Sequence, residues 1–324
     1  LKQTIRTLIG LALGAILLYI TLQGKNLMDI LQTIRQADML YATMSILLMV
    51  GIFTLRAARW QLLLSATGEK VKYFNVLGSV GIGYFINSFT PKLGEIARCT
   101  SLQSNSGVPF AKSAGVVVSE RVYDLLVLFL GLVSILILEM DRLDFLIINL
   151  REAVASMLQG YIIWSLGAGI LLISAFLYLK RQWLMNHSIY MKISGFVKDF
   201  SKAIADSFML KQYPLFILYT VLIWLLLIAV NYTFLLSLSS TEGESIYFAF
   251  VVLFAATIGW ALPAPGGIGT SHFFVLQLFI VFGLPEDSGV AFGIYSNGLT
   301  FAFTIFFGLI SVADFYMRKK KALE

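Results

Sequence analysis

Three acids and two arginines stand out in a chain that is otherwise greasy. Glu120 and Asp124 are four residues apart, so on a helix they share one face. Glu95 and Arg98 are three apart and follow directly on Pro91 and Gly94. Arg121 is next to Glu120 in sequence, and on a helix it points elsewhere. Ionisable groups at membrane depth are costly and usually face a bundle interior or a cavity. Two acids on one helix and an arginine on a neighbouring segment make a buried ion network. One reading is a structural lock between elements. The other has Arg98 or Arg121 holding an anionic group, with Glu95, Glu120 or Asp124 orienting the arginine or carrying a proton. Buried pairs stabilise poorly against apolar packing, which favours the second.

A second constellation is Pro263-Ala-Pro265-Gly266-Gly267-Ile268-Gly269. A turn accounts for one glycine, but not for three with two prolines inside an apolar region. Glycines let backbone approach a ligand closely, and a helix starting near Thr270 aims its N–H groups at an anion. A structural re-entrant turn has the same appearance. His272 falls in the first turn of that helix, either as a group titrating near neutral pH or as a packed histidine. Asn231 and Asn297 are interior polar residues, equally suited to holding helices together and to touching a ligand. Arg56, Arg59 and Trp60 close an apolar stretch and read as interfacial anchors, with lipid phosphate as the functional alternative for the arginines. One cysteine, Cys99, and two distant histidines offer no disulfide or metal motif, and no cofactor is expected.

The elements that must position these residues follow from composition. Of 324 residues, 58% are hydrophobic and 13% charged, against about 25% charged in a soluble domain. Apolar blocks near the roughly 20 residues of a bilayer span recur along the chain. The expectation is an all-α polytopic membrane protein forming a single integral membrane domain over 1–324. Six full crossings are read at about 5–22, 39–64, 110–138, 161–179, 214–238 and 288–316. Two short, glycine-rich apolar segments, 74–89 and 247–262, break at proline and continue as second pieces at 93–105 and 270–283. Each reads as a re-entrant hairpin, tolerated at membrane depth only under cover of protein or a cavity. Residues 180–211 hold six basic residues among apolar ones at helical spacing, which reads as an interfacial helix on an anionic leaflet.

The two broken regions correspond. Pro91-x-x-Gly94 matches Pro263-x-x-Gly266, and Val108-Pro109 matches Leu284-Pro285. Leu130-Gly-Leu-Val-Ser then matches Phe307-Gly-Leu-Ile-Ser. The units, about 39–138 and 213–316, make an inverted-topology repeat if the hairpins enter from opposite sides, an arrangement that points to a transporter site near the midplane. With both termini cytoplasmic, sixteen Lys or Arg fall on the cytoplasmic side and four in the outer links, in keeping with the positive-inside rule. The basic residues border membrane spans, so the net charge of +6 is not a nucleic-acid signal.

At these motifs the chain resembles the flippase-like membrane domain of the lysylphosphatidylglycerol synthase/flippase (multiple peptide resistance factor) family. Arg56-x-x-Arg59-Trp60, Asn87-x-x-x-Pro91-x-x-Gly94-Glu95-x-x-Arg98, Glu120-Arg121-x-x-Asp124 and Pro263-x-Pro265-Gly266-Gly267-Ile268-Gly269 carry the likeness. The resemblance implies a bacterial inner-membrane protein that moves polar lipids between leaflets, with re-entrant segments around a central cavity. It implies anionic or lipid-linked head groups as partners. The soluble aminoacyltransferase domain of full-length members is not seen in this sequence, so synthase activity is not implied. His272 stands where the family often has an acid, which loosens any substrate inferred from its best-known members. Membrane-embedded head-group enzyme, small-solute carrier and scaffold remain the alternatives, and a homo-oligomer is compatible with each.

Overall fold

The computed structural model describes residues 2–90, 92–139, 188–262 and 264–321. The regular elements among the described residues are all helices, with no strand. The first unit runs α1 (Lys2–Leu22), α2 (Leu27–Arg35), α3 (Met39–Ala66), α4 (Tyr73–Phe89), α5 (Gly94–Ser106) and α6 (Phe110–Leu138). The remainder runs α7 (Ser188–Phe208), α8 (Tyr213–Ser237), α9 (Ile246–Ala261), a 3₁₀ turn (Pro265–Gly267), α10 (Thr270–Val281) and α11 (Glu286–Lys321). The span expected at 161–179 and most of the polar link before it lie outside the described residues, as do Pro91 and Pro263.

Among the described residues, four helices, α3, α6, α8 and α11, are long and apolar enough to cross a membrane. They expose leucine, isoleucine, valine and phenylalanine outward, as Leu125, Phe129 and Leu225 do. Their inward faces share one core that includes Phe53, Trp60, Phe216, Phe234 and Phe292.

The stretch 23–38, between the first two expected crossings, contains α2. Asn26 caps it by accepting the Met28 N–H at 3.1 Å, and Asp29 sits favourably in its first turn. The chain bends by 93° between α1 and α2, and Ile30 buries against Leu276 and Val290.

α4 and α5 form an antiparallel hairpin. Asn75 Nδ2 donates to Ser106 Oγ at 3.0 Å, and Ser79 and Ser101 are 3.2 Å apart one turn further in. At the tip, the Gly94 N–H donates to Asn87 Oδ1 at 2.8 Å. Gly83 and Gly94 pack backbone to backbone, so a side chain on either would displace the other helix. Gly107, in the left-handed conformation, ends α5 before Pro109 launches α6.

α9 and α10 form a second hairpin, closed where Gly259 meets Thr270 and Ser271 and where Phe248 packs edge-on against Phe279 at 5.1 Å. Its break, 262–269, is longer than the first, 90–93, and holds the 3₁₀ turn. Helix α10 starts at Thr270, whereas α5 starts at Gly94. The Pro-x-x-Gly match of the two breaks therefore does not mark equivalent helix starts.

The two hairpin tips approach each other. The 3₁₀ turn packs against α4, and Phe89 and Phe301 stack edge-on at 6.2 Å. α4 runs antiparallel to α11 through Asn75 with Arg318 and Gly81 with Ser311. Phe301 is therefore about 25 Å along α11 from Arg318. Helix α7 lies against α6, with Gly115 under the Phe200 carbonyl and Tyr123 against Phe208 at 5.5 Å.

Candidate functional site

Arg59 is the centre of the site. It sits two turns before the end of α3 and is fully buried. Its Nη2 donates to Glu120 Oε1 at 2.7 Å and its Nη1 to Asp124 Oδ1 at 2.8 Å. Thr220 Oγ1 of α8 is 3.3 Å from the same Nη1, and the Phe216 ring lies beneath the guanidinium at 5.9 Å. The interfacial reading of Arg59 and Trp60 is therefore corrected. Both side chains are wholly inside the bundle, because carboxylates brought from α6 offer Arg59 partners that a membrane surface would otherwise supply.

Glu120 links two arginines. Its second oxygen accepts from Arg98 Nη2 at 2.8 Å, and Arg98 also pairs with Glu95 at 2.8 Å. The Arg98 guanidinium lies over the buried Trp60 ring at 4.7 Å, a cation–π contact strengthened by the absence of water. Arg121, expected to point away, joins the same network. Its Nη2 pairs with Glu95 Oε1 at 2.7 Å and its Nη1 with Asp124 Oδ2 at 3.4 Å. Long side chains make this geometry: Arg121 reaches around α6 to the hairpin, which helical phase alone does not show. The network ties α3, α5, α6 and α8 together, and its outer edge is the Arg121–Glu95 pair, with side chains 39% and 32% exposed.

Arg56 stands one turn before Arg59, half-buried, with its guanidinium 5.7 Å from the Tyr84 ring. It has no carboxylate partner among the described residues. Three guanidiniums, those of Arg59, Arg98 and Arg121, thus meet three carboxylates, and Arg56 adds a fourth, half-buried positive charge one turn away on α3. Lys92, at the tip of the first hairpin, is exposed and has a positive φ of 64°. It is the one non-glycine residue in that region among the described residues, and sequence reasoning did not single it out. A lysine forced into a glycine conformation has no sequence signature beyond its place after a Pro.

The glycine run does not offer its backbone to open space. Gly269 abuts the Gly14 backbone of α1, Gly267 lies 2.9 Å from the Trp260 ring at a virtual Cβ, and Gly266 faces Phe301 and the Ser88 carbonyl. All three have positive φ, so glycine is required both by conformation and by contact. The first turn of α10 is buried and capped from within. The Gly269 N–H donates to His272 Nδ1 at 3.3 Å, and the Ser271 and Thr270 hydroxyls donate to the Gly267 carbonyl. Thr270, Ser271 and His272 are all buried by protein in this conformation. Pro265 opens the 3₁₀ turn. Asn297 Nδ2 donates to the Gly266 carbonyl at 3.0 Å and to Ser271 Oγ at 3.2 Å. Asn231 turns back to its own helix, donating to the Leu227 carbonyl at 2.9 Å.

The two hairpins are held alike. Glu95 and Ser271 are each the second residue of α5 and α10, and Arg121 and Asn297 are each the twelfth of α6 and α11. Arg121 contacts Glu95 in one half, and Asn297 contacts Ser271 in the other. The first pairing is ionic and the second neutral. No group of three or more metal-ligating side chains occurs among the described residues.

A UPF0104 membrane protein of Pyrococcus horikoshii is 23% identical over 320 residues, covering 90% of each chain. No solved structure matches. Residues 7–308 match the family model described as the lysylphosphatidylglycerol synthase TM region. The match takes in both hairpins and the whole ion network, and the chain belongs to that family of multi-pass membrane proteins.

Proposed function

We propose that this protein moves a phospholipid or lipid-linked head group between the leaflets of a cytoplasmic membrane, with both termini inside. The observation that carries the reading is the network of three arginines and three carboxylates beside the tip of the first hairpin, with a fourth, half-buried arginine one turn away. One excess positive charge in such a site complements one phosphodiester. A purely structural network has no need of the extra arginine, since even partial burial of an unpaired charge is costly.

The two hairpins are re-entrant and enter from opposite faces, as members of an inverted-topology repeat. The like placement of Glu95 with Arg121 and of Ser271 with Asn297 supports that symmetry. In the conformation described, the arginines are satisfied by protein. A head group gains Arg121 by exchanging for Glu95 at the half-exposed edge of the network, with Arg56 adding the unpaired charge. The acyl chains stay in lipid beside the open faces of α6 and α8. Rocking of one repeat against the other then alternates access, either downhill or coupled to protons carried by the carboxylates.

Reconstitution tests this directly. Fluorescent lipid in proteoliposomes, quenched from outside by dithionite, loses its protected fraction quickly if the protein moves lipid. Signal equal to that of protein-free vesicles across several head groups contradicts the reading. Chemical turnover of the labelled lipid puts a head-group enzyme in its place, and competition by soluble solutes a small-solute carrier.

A further inference from the structure

Away from the ion network, the structure holds a cavity of about 580 Å³ where the last turns of α3, the 67–72 link and the first turns of α8 converge. That volume falls within the roughly 300–1,000 Å³ of ligand pockets. Lys70 and Lys72 line it, are exposed, and have no ion-pair partner among the described residues. The acid beside them, Glu69, is engaged by Lys112 Nζ at 2.6 Å. Lys211, exposed, immediately precedes the lining residue Gln212. The opening is therefore basic. Its wall is fixed by Gln61 Nε2, which donates to the Val71 carbonyl at 2.7 Å.

The base of the cavity is apolar, formed by Leu62, Val71 and Leu215. Beyond Leu215, the outer face of α8 continues bare through Ile217, Leu218, Val221 and Leu222. A basic opening over an apolar base that runs onto an uncovered, membrane-spanning helix face suits an amphiphile. A free phosphate needs only the opening. The link between α3 and α4 lies at the Arg318 end of the bundle, through the 3.1 Å bond from Arg318 to Asn75.

We propose that this pocket docks an anionic phospholipid of the leaflet it faces, with the phosphate between Lys70 and Lys72 and the acyl chains along α8. The pocket also abuts the ion network. Ala58 and Tyr219 line it, and their chain neighbours Arg59 and Thr220 are in contact inside at 3.3 Å. The buried Phe216 ring lies on the network side. A docked lipid is thus one wall away from the arginines. Its role as a loading position rests on the transport reading, while its existence as a binding site does not.

Binding to the purified full chain in detergent, read by native mass spectrometry with phosphatidylglycerol and with phosphatidylcholine, tests the site. Wild type is expected to retain phosphatidylglycerol preferentially, with a preference that falls as ionic strength rises. Lys70→Gln with Lys72→Gln is expected to weaken that binding on the order of tenfold. Lys70→Arg with Lys72→Arg is expected to keep it, and Ser65→Trp, which fills the cavity with both lysines intact, to lose it. Unchanged binding in the glutamine variant, or in the tryptophan variant, overturns the proposal. So does equal displacement by glycerol phosphate, which marks an anion site indifferent to the tails. Lipid binding that follows these expectations in a protein that moves no lipid keeps the site and removes the transport reading.

Discussion

Glu120 is the residue on which the network turns, since both Arg59 and Arg98 depend on it. Removing one partner of a buried pair leaves an uncompensated charge, at a cost of about 3–5 kcal/mol. Glu120→Ala is therefore expected to lower the unfolding free energy in detergent by about that amount. Replacing Arg59 and Asp124 together by apolar residues is expected to lose far less, because Glu120 keeps Arg98, Glu95 keeps Arg121, and apolar packing takes the place of the removed pair. Equal losses from the single and the double substitution would show that the ion pairs themselves hold the bundle. Lys92 makes a separate point. Its left-handed backbone is strained for a side chain with a Cβ, and asparagine adopts it more readily. Lys92→Asn is expected to stabilise the protein by up to about 1 kcal/mol, measured by the same unfolding assay.

The elements are glycine-dependent at particular places only. Gly94 carries no Cβ because Gly83 and Asn87 occupy that space. Gly298, on α11, has nothing within 4 Å of a virtual Cβ. Gly94→Ala is expected to open the first hairpin and lower the thermal midpoint. Gly298→Ala is expected to stabilise by about 0.5–1 kcal/mol, since alanine loses less backbone freedom in a helix. The reverse order would contradict the hairpin geometry. Much of this architecture was legible in the sequence. Pro109 and Leu284-Pro285 announce the long helices α6 and α11, and the short glycine-rich segments announce the hairpins. Helix α2 was signalled by Asn26 and Asp29 ahead of Ile30 and Ile34, yet so short a segment reads as a link. The packing of Gly269 on Gly14 was hidden, because its two halves lie at opposite ends of the chain. Arg59 was hidden for the same reason. Beside Trp60 and ahead of Lys70 it has the look of an interfacial anchor, and its acids arrive only when α6 packs on α3.

For the whole molecule, the burial of Arg59 and half-burial of Arg56 remove two charges from the inner loops. On the proposed topology, the remaining fourteen against four outer Lys or Arg still satisfy the positive-inside rule. Single cysteines test this in a Cys99→Ala background, Cys99 being buried and the chain's only thiol. A thiol at Gly243, where nothing lies within 4 Å of a virtual Cβ, is expected to react with an impermeant reagent from outside the cell. One at the exposed Lys202 is expected to react only after the membrane is opened. Labelling of both from the same side would break the topology on which opposed hairpins rest. The central claim, that a positively biased ion network moves lipid head groups, meets its most direct test in the dithionite assay run on Arg98→Ala and Glu120→Gln. Both variants are compared with wild type at matched folding and reconstitution. Fast lipid movement in wild type and its loss in both variants is the predicted result; equal rates in all three would make the network a lock and contradict the account.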